Sequence, residues 1–135
     1  DVKSLFTVMK TVESATLVET CGSLCCHLIK GMKITETDIP RESMVASSSK
    51  KLGETSTVVR TSIECDKSPK VDANSIRNFV DISGMFLLPG NNANETKMTA
   101  MCLVDLRQPL TEASTKKCES LMMENATKFR TMCEK

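Results

Sequence analysis

Residues 21–30 read CGSLCCHLIK, with three cysteines in six positions and the chain's only histidine directly after them. Across residues 2–32 the apolar side chains recur at intervals of three and four, which is typical of one face of an α-helix. We therefore predict one long helix there, or two joined near residues 14–16. Gly22 costs about 1 kcal/mol against Ala in a helix, so packing and covalent links would have to hold the segment together. The stretch thus predicts an all-α protein.

The cysteines of this stretch point in different directions on that helix. Cys21 and Cys25 would face the core, whereas Cys26 and His27 would not. Cys26 and His27 diverge by about 100°, so they cannot form a nucleophile and base pair. A structural zinc site needs four converging ligands, but the remaining cysteines are single, at positions 65, 102, 118 and 133. We predict no metal and no catalytic residue here, and we interpret His27 as a surface side chain.

The cysteine count favours disulfide bonds in an oxidising compartment. Seven cysteines in 135 residues exceed what a cytosolic protein usually carries. Each native bridge would stabilise a domain of this size by roughly 2–4 kcal/mol. The odd number leaves one thiol, either buried or available to join a second chain, and the pairing stays open. The disulfide candidates are Cys21, Cys25, Cys26, Cys65, Cys102, Cys118 and Cys133.

Two N-glycosylation sequons also indicate an extracellular protein. Asn94 begins the first, just after the turn signal Pro89-Gly90-Asn91-Asn92, in a polar loop that can accept a glycan. Asn125 begins the second and falls in the apolar stripe of the last predicted helix, so Asn94 is the better candidate. The sequence starts at Asp1 without an initiator methionine, as expected of a secreted chain after signal-peptide removal.

The rest of the chain predicts further helices and one extended segment. Helix starts are indicated at Asp38 and Asp72, a short helix at residues 98–106, and a last helix capped by Thr111. Residues 55–65 alternate between two faces and predict an extended segment. The stripe of the last helix comprises Cys118, Leu121, Met122, Asn125, Phe129, Met132 and Cys133. Together these elements predict a single domain over residues 1–135, a disulfide-stapled bundle of four to five helices with one extended segment near 55–65.

Composition excludes several classes of function. The 18 basic and 17 acidic residues are interspersed, so no field attracts nucleic acid. Aromatic content is 3%, without Trp or Tyr, which removes stacking platforms for single strands. No apolar run is long enough to span a bilayer. The methionines at positions 98, 101, 122, 123 and 132 are interpreted as core filler rather than as a copper site or the lining of an adaptable apolar pocket, although Met123 lies off the apolar stripe.

Two functional hypotheses follow, both for a non-enzymatic protein without a cofactor. The first is a secreted ligand, effector or modulator that binds another protein, such as a receptor or target. A homodimer through the odd cysteine, covalent or not, is an open option for it. The alternative is an extracellular carrier that holds a small apolar ligand or lipid in a cavity between helices.

Overall fold

The computed structural model describes residues 12–31, 33, 35 and 38–133, with only the backbone at 132 and 133. It shows a six-stranded sheet and one C-terminal helix, so the prediction of an all-α bundle is wrong. The elements are β1 (Val12–Cys21), β2 (Leu24–Gly31), β3 (Arg41–Leu52), β4 (Thr55–Ser62), β5 (Ile76–Pro89), β6 (Thr96–Asp105) and α1 (Glu112–Cys133).

The strands lie side by side in the order in which they follow one another along the chain. Each strand runs antiparallel to its neighbours. One additional contact is parallel, between residues 41–43 of β3 and 76–78 of β5. It arises because β4 ends at Ser62, so the first residues of β5 take the place beside β3 that β4 leaves. At that end of the sheet β3 and β5 are neighbours.

The stretch at residues 21–30 is a hairpin, not a helix. Cys21 pairs with Leu24, and Gly22 and Ser23 form the two-residue turn between them. Gly22 has φ +59°, a left-handed conformation that Gly adopts without steric cost and that suits the first position of such a turn. Gly53, with φ +61°, turns β3 into β4 in the same way. The residue that weakens a helix is therefore the one that makes this turn.

Strand β2 looked helical in the sequence because it is buried on both faces. Cys26 and Leu28 point to one face and are 4% and 7% exposed, while His27 points to the other and is 3% exposed. A strand that is covered on both sides lacks the alternation of apolar and polar residues that identifies a half-buried strand. The interpretation of His27 as a surface side chain is accordingly wrong.

The sheet has an outer face and an inner face. The outer face carries the packed cluster Cys26, Leu28, Met44 and Ala46, against which Val18, Ile63 and Cys65 pack. Ile63 and Cys65 belong to the loop 63–75 between β4 and β5, and this loop covers the outer face of β2 and β3. The inner face is the opposite one, which carries His27, Val45 and Ser47, all at most 3% exposed.

The disulfide staple is also wrong for the cysteines whose side chains are described. Cys21, Cys25, Cys26, Cys65, Cys102 and Cys118 are all free thiols, and the side chain of Cys133 lies outside the described residues. Cys26 is buried in the outer-face cluster rather than pointing away from the core, and burial raises the pKa of its thiol. Cys21, predicted to face the core, is exposed. Apolar packing, not covalent linkage, holds β1 to β3 together.

Other predicted elements have mixed outcomes. The extended segment near 55–65 is a strand, β4, but the segments predicted as helices after Asp38, after Asp72 and at 98–106 are β3, β5 and β6. The last helix is present, with Thr111 at its start. On its stripe, Cys118, Leu121, Asn125 and Phe129 are buried or half-buried as predicted, whereas Met122 is 65% exposed. Within the described ranges, no helix is long and apolar enough to cross a membrane.

Candidate functional site

The start of α1 is fastened to the sheet by a buried polar contact. Ser114 is fully buried, and its Oγ lies 2.8 and 2.9 Å from the two carboxylate oxygens of Asp38. Asp38 precedes β3 and also accepts a hydrogen bond of 2.9 Å from the backbone N–H of Thr35. Thr111 caps the helix by accepting the N–H of Ser114 through its Oγ1 at 3.1 Å. These bonds fix where α1 begins relative to β3.

Charge reinforces this anchor. Burial alone would raise the pKa of the Asp38 carboxyl, but the hydrogen bonds from Ser114 and Thr35 outweigh it and hold the pKa below its ordinary value. Arg41 acts in the same direction through its charge. One turn along α1, burial and then the charge of Asp38 raise the pKa of the Cys118 thiol. Asp38 is therefore an ionised group in a buried position, stabilised by its donors.

From this anchor α1 extends across the inner face. Near its other end, Ala126, Phe129 and Arg130 lie across a cavity of about 560 Å³ from Leu87 and Met98. Leu87 and Met98 are cross-strand partners, so their side chains share a face. The pairing ladder from β5 through β4 and β3 to β2 places that face on the same side as His27 and Val45.

The helix spans the sheet at a distance. In the part of the chain that is described, no Cα of α1 comes within 8 Å of a Cα of any strand. Nevertheless, Ser114, Cys118, Leu121, Asn125 and Phe129 turn toward the protein as buried or half-buried side chains. The cavity beside Phe129 lies between this end of α1 and the sheet.

The rim of this cavity is the turn at residues 90–95 between β5 and β6. The N–H of Gly90 donates to the carbonyl oxygen of Glu95 at 2.8 Å, and the N–H of Asn91 donates to its carboxylate at 3.1 Å. A Cβ at Gly90 would overlap Glu95, so the close approach of these two backbone segments in the turn requires glycine. Asn94 and Lys97 complete a polar rim around an apolar opening.

Toward the middle of the inner face the side chains become polar. Register places Arg60 of β4 between Ser47 of β3 and Ser83 of β5. Burial lowers the pKa of the Arg60 guanidinium, which nevertheless stays charged at neutral pH. Ser47 is 2% exposed and donates to the carbonyl oxygen of Cys25 at 3.1 Å. The inner face thus combines an apolar end at Leu87 and Met98 with a cationic and hydroxyl-bearing middle.

A second cavity, of about 300 Å³, lies at the loop 63–75 and has a structural explanation. Its Arg77 donates from Nε to the Glu42 carboxylate at 2.9 Å and from Nη1 to Ser68 Oγ at 2.8 Å. Its Arg107 lies over the ring of Phe79, 5.6 Å from the centroid. Both guanidinium groups are engaged within the protein, so this cavity is where the loop is fastened to the sheet.

The residues singled out in the sequence do not form one site. Among the side chains that are described, no three His, Cys, Asp or Glu groups are placed to hold a metal ion. Asn94 is exposed at the cavity rim and Asn125 is 7% exposed on α1. Glycosylation of either asparagine stays a prediction, and the inward position of Asn125 agrees with the conflict noted for its sequon.

The sequence did not predict this cavity. Met98 is interpreted there as core filler in a short helix, Phe129 as part of the stripe of the last helix, and Leu87 is given no role. A signal was present for the turns: Gly22-Ser23 and Gly53-Glu54 each separate two strand-length runs, which is the pattern of a two-residue hairpin. Recognising those turns would have predicted a sheet, and with it the shared face of Leu87 and Met98.

An antiparallel sheet crossed on one face by a C-terminal helix is the fold of StAR-related lipid transfer domains, and this chain has that fold. Human StarD13, described as a lipid transfer and protein localization domain, matches with a TM-score of 0.75 and 18% identity. Human STARD10 matches at 0.74 and 12%, and human StAR-related lipid transfer protein 5 at 0.71 and 18%. The matches cover 96%, 97% and 93% of this chain, in the same order.

This chain is shorter than those structures. It spans 64% of StarD13, 58% of STARD10 and 59% of StAR-related lipid transfer protein 5. No protein-family model matches the sequence, and no curated protein matches it significantly. The likeness therefore lies in the fold.

Proposed function

We propose that this protein binds a single lipid or another apolar molecule between the inner face of the sheet and α1. The observation that carries the proposal is the cavity of about 560 Å³ between α1 and the sheet, lined by Leu87, Met98 and Phe129. Apolar walls with a few polar groups are typical of sites for small apolar ligands. The neighbours in fold are named as lipid transfer proteins, which supports the carrier hypothesis over that of a protein ligand.

The polar middle of the inner face fits a ligand with two chemically different ends. A hydrocarbon part would occupy the apolar end near Leu87 and Met98. A polar or acidic part would lie toward Arg60, where a buried cation stabilises negative charge more strongly than a solvated one does. An amphiphile such as a fatty acid or a phospholipid has this division.

Lipid capture by the purified chain tests the proposal directly. The protein is mixed with vesicles that contain phosphatidylcholine and an acidic phospholipid, separated from them, and analysed by native mass spectrometry. We expect a species with the mass of one protein and one lipid. A protein that leaves the vesicles without any bound lipid would overturn the proposal.

Leu87 and Leu88 provide a matched pair of variants, since they are neighbours on β5 with side chains on opposite faces. Leu87 lines the cavity, whereas Leu88 points to the outer face and is 37% exposed. A carboxylate in the cavity must be desolvated when an apolar ligand enters, so Leu87→Glu should reduce lipid capture by about tenfold or more. Leu88→Glu should leave it unchanged. Equal capture by the two variants would place the ligand elsewhere.

Secretion and the absence of catalysis stay predictions. The free thiols remove one argument for an extracellular location, and the two sequons remain. Expression in a secreting eukaryotic cell, followed by glycosidase treatment, would show whether Asn94 carries a glycan.

A further inference from the structure

The loop 63–75 contains a serine that is followed directly by a proline, at Ser68-Pro69. The chain has four prolines, and the residues before the other three, at positions 39, 88 and 108, are Ile, Leu and Gln. Ser68 is therefore the only Ser or Thr in the sequence that precedes a proline. Proline has no N–H and holds the residue before it in an extended backbone, and both properties suit the substrate groove of a proline-directed protein kinase.

The hydroxyl of Ser68 lies against a guanidinium group. Arg77 donates from Nη1 to Ser68 Oγ at 2.8 Å and from Nη2 to the carbonyl oxygen of Pro69 at 3.0 Å. The Glu42 carboxylate on β3 accepts from the other side of the same group, at 2.9 Å from Nε. The cation thus meets a carboxylate on the sheet side and a neutral hydroxyl on the loop side. A phosphate on Ser68 would place negative charge where the cation now meets the hydroxyl.

Arg107 supplies a second cation at the same cavity. In the described ranges it is the one non-glycine residue with a left-handed backbone, at φ 62°. Such a conformation costs energy and is often kept where a side chain must be aimed at a site. Its bond to Asp105, of 3.2 Å, joins two half-exposed groups, so this pair contributes little and can be shared with another acceptor.

The cavity between these groups can hold a phosphate. It has a volume of about 300 Å³ and is lined by Ser68, Arg77 and Arg107, with Glu64 as its one acidic side chain. A water molecule takes up about 30 Å³, so the volume is ample for a phosphorus atom with its oxygens. Guanidinium groups bind phosphate through paired N–H donors, and a charge of about −2 near neutral pH strengthens these bonds.

The segment 66–70 is attached to the sheet by contacts that can open locally. Lys67 pairs with Glu19 of β1, and the Lys67 side chain is 66% exposed, so this ion pair is solvated and weak. The pair between Arg77 and Glu42 joins β5 to β3 and stays intact when the segment lifts. Ser68 itself is half-buried, and its neighbours on both sides are exposed in the structure: Asp66, Lys67, Pro69 and Lys70. A local opening therefore brings Ser68 to a kinase without unfolding the sheet.

We propose that Ser68 is a phosphorylation site for a proline-directed protein kinase, and that its phosphate is bound by Arg77 and Arg107 in the cavity under the loop 63–75. In this reaction a bond forms between Ser68 Oγ and the γ-phosphorus of ATP, and the bond from that phosphorus to the bridging oxygen of ADP breaks. ADP leaves, and the hydroxyl proton passes to the catalytic base of the kinase. The modified loop is then held to the sheet by charge-assisted bonds instead of a neutral one.

Phosphorylation requires that the loop and a kinase with ATP share a compartment. Cys65, three residues before Ser68, is a free thiol, as are the other cysteines whose side chains are described, and free thiols are typical of reducing compartments. The chain recovered from eukaryotic cells should carry phosphate on Ser68. A chain that carries a glycan at Asn94 and no phosphate on Ser68 would overturn the proposal and would instead support secretion.

The modification itself is tested with the complete purified chain, a purified proline-directed kinase and MgATP. Intact mass measurement should show the gain of one phosphate, and peptide fragmentation should place it on Ser68. Pro69→Ala keeps the acceptor hydroxyl and the carbonyl oxygen that Arg77 binds, yet it should slow the reaction by about tenfold or more. A chain that is not modified, or that is modified at another residue, would overturn the proposal, and so would equal rates for Pro69→Ala and the unmodified sequence.

Hydrogen exchange tests whether the cavity binds the phosphate. The informative amides are those of Ser68, which donates to the carbonyl oxygen of Cys65 at 2.8 Å, and of Ser75, which donates to that of Asp72 at 2.8 Å. Phosphorylation should slow their exchange by about tenfold, since the loop opens less often. Arg107→Gln leaves the acceptor and Pro69 in place, so it should still be phosphorylated but should lose most of this protection. Unchanged or faster exchange after phosphorylation, or full protection in Arg107→Gln, would show that the phosphate is not bound as proposed.

Discussion

Strands β2 and β3 differ from strand β6 in what covers them, although all three are built from apolar and small polar residues. Met44 and Val45 of β3 point to opposite faces and are 2% and 1% exposed. Met101 of β6, on the same face as Met44, is 47% exposed. The difference is that the loop 63–75 covers the outer face at β2 and β3, and no described segment covers it at β6.

The two ends of the sheet therefore have different roles. The end at β2 and β3 is packed on both sides and contributes most of the apolar burial that stabilises the fold. The end at β5 and β6 borders the cavity, so it is where a ligand is proposed to bind. Substitutions at β2 and β3 should therefore mainly lower the stability of the fold, whereas substitutions at β5 and β6 should mainly weaken binding.

The largest expected effect comes from truncating the packed methionine. Met44→Ala removes a buried side chain from the cluster with Cys26, Leu28 and Ala46, and should lower the free energy of unfolding by about 2–5 kcal/mol. Met101→Ala makes the same chemical change on the same face and should alter it by less than about 0.5 kcal/mol. Urea unfolding followed by circular dichroism measures both. Similar losses for the two variants would refute the division of the sheet.

A smaller effect is expected at the ion pair that fastens the loop 63–75. The Glu42 side chain is 2% exposed and bonded to Arg77, so Glu42→Gln leaves a guanidinium without its carboxylate. Breaking a buried pair costs about 3–5 kcal/mol, and the lower end applies because Arg77 keeps its bonds to Ser68 and Pro69.

The matched control for this prediction is a solvated ion pair. Lys30 and Asp72 form a contact of 2.7 Å in which both side chains are exposed. Asp72→Asn should therefore change the free energy of unfolding by less than about 1 kcal/mol. If it destabilised the protein as much as Glu42→Gln, burial would not be what distinguishes the two pairs.

The smallest effect is expected at the anchor of α1, and it depends on pH. Ser114→Ala removes a hydrogen bond to the Asp38 carboxylate and should cost about 1–3 kcal/mol at neutral pH. The folded pKa of Asp38 lies below its ordinary value of 3.8, so its ionised form stabilises the fold above that pH, and this contribution is lost as the pH falls through the folded pKa. The difference between variant and unmodified chain should shrink below about pH 4. A difference that is constant from neutral to acid pH would mean that Asp38 is not the acceptor that matters.

The parts of the fold that the sequence predicted are those with a one-sided pattern. Strand β4 alternates between two faces, and α1 has one stripe, so each shows its own period. Strand β2 does not, because Cys26, His27 and Leu28 are buried in succession and their order in the chain is indistinguishable from a helical repeat. The cysteine count wrongly predicted disulfide bonds for a related reason. A buried free thiol packs like a small apolar residue, and composition alone does not distinguish it from a cysteine in a disulfide bond.

The candidate site could not be predicted from the sequence, because it depends on how the strands and the helix are positioned in space. Leu87 and Met98 meet only because the turn at 90–95 aligns β5 with β6, and the face they share becomes a cavity wall only because Ser114 fixes α1 across it. Phe129 was on the predicted stripe, but a stripe does not reveal whether it packs against a core or faces an open space.

The order of the strands has a consequence for how the molecule is made. Because spatial order and chain order coincide, each strand pairs with the one synthesised just before it. The sheet can grow hairpin by hairpin as the chain leaves the ribosome, with short loops to close at the glycine turns and one longer loop between β4 and β5. Among the described strands β6 is then the last to join the sheet, and α1, which follows it in the chain, can close over the inner face only after those strands have paired.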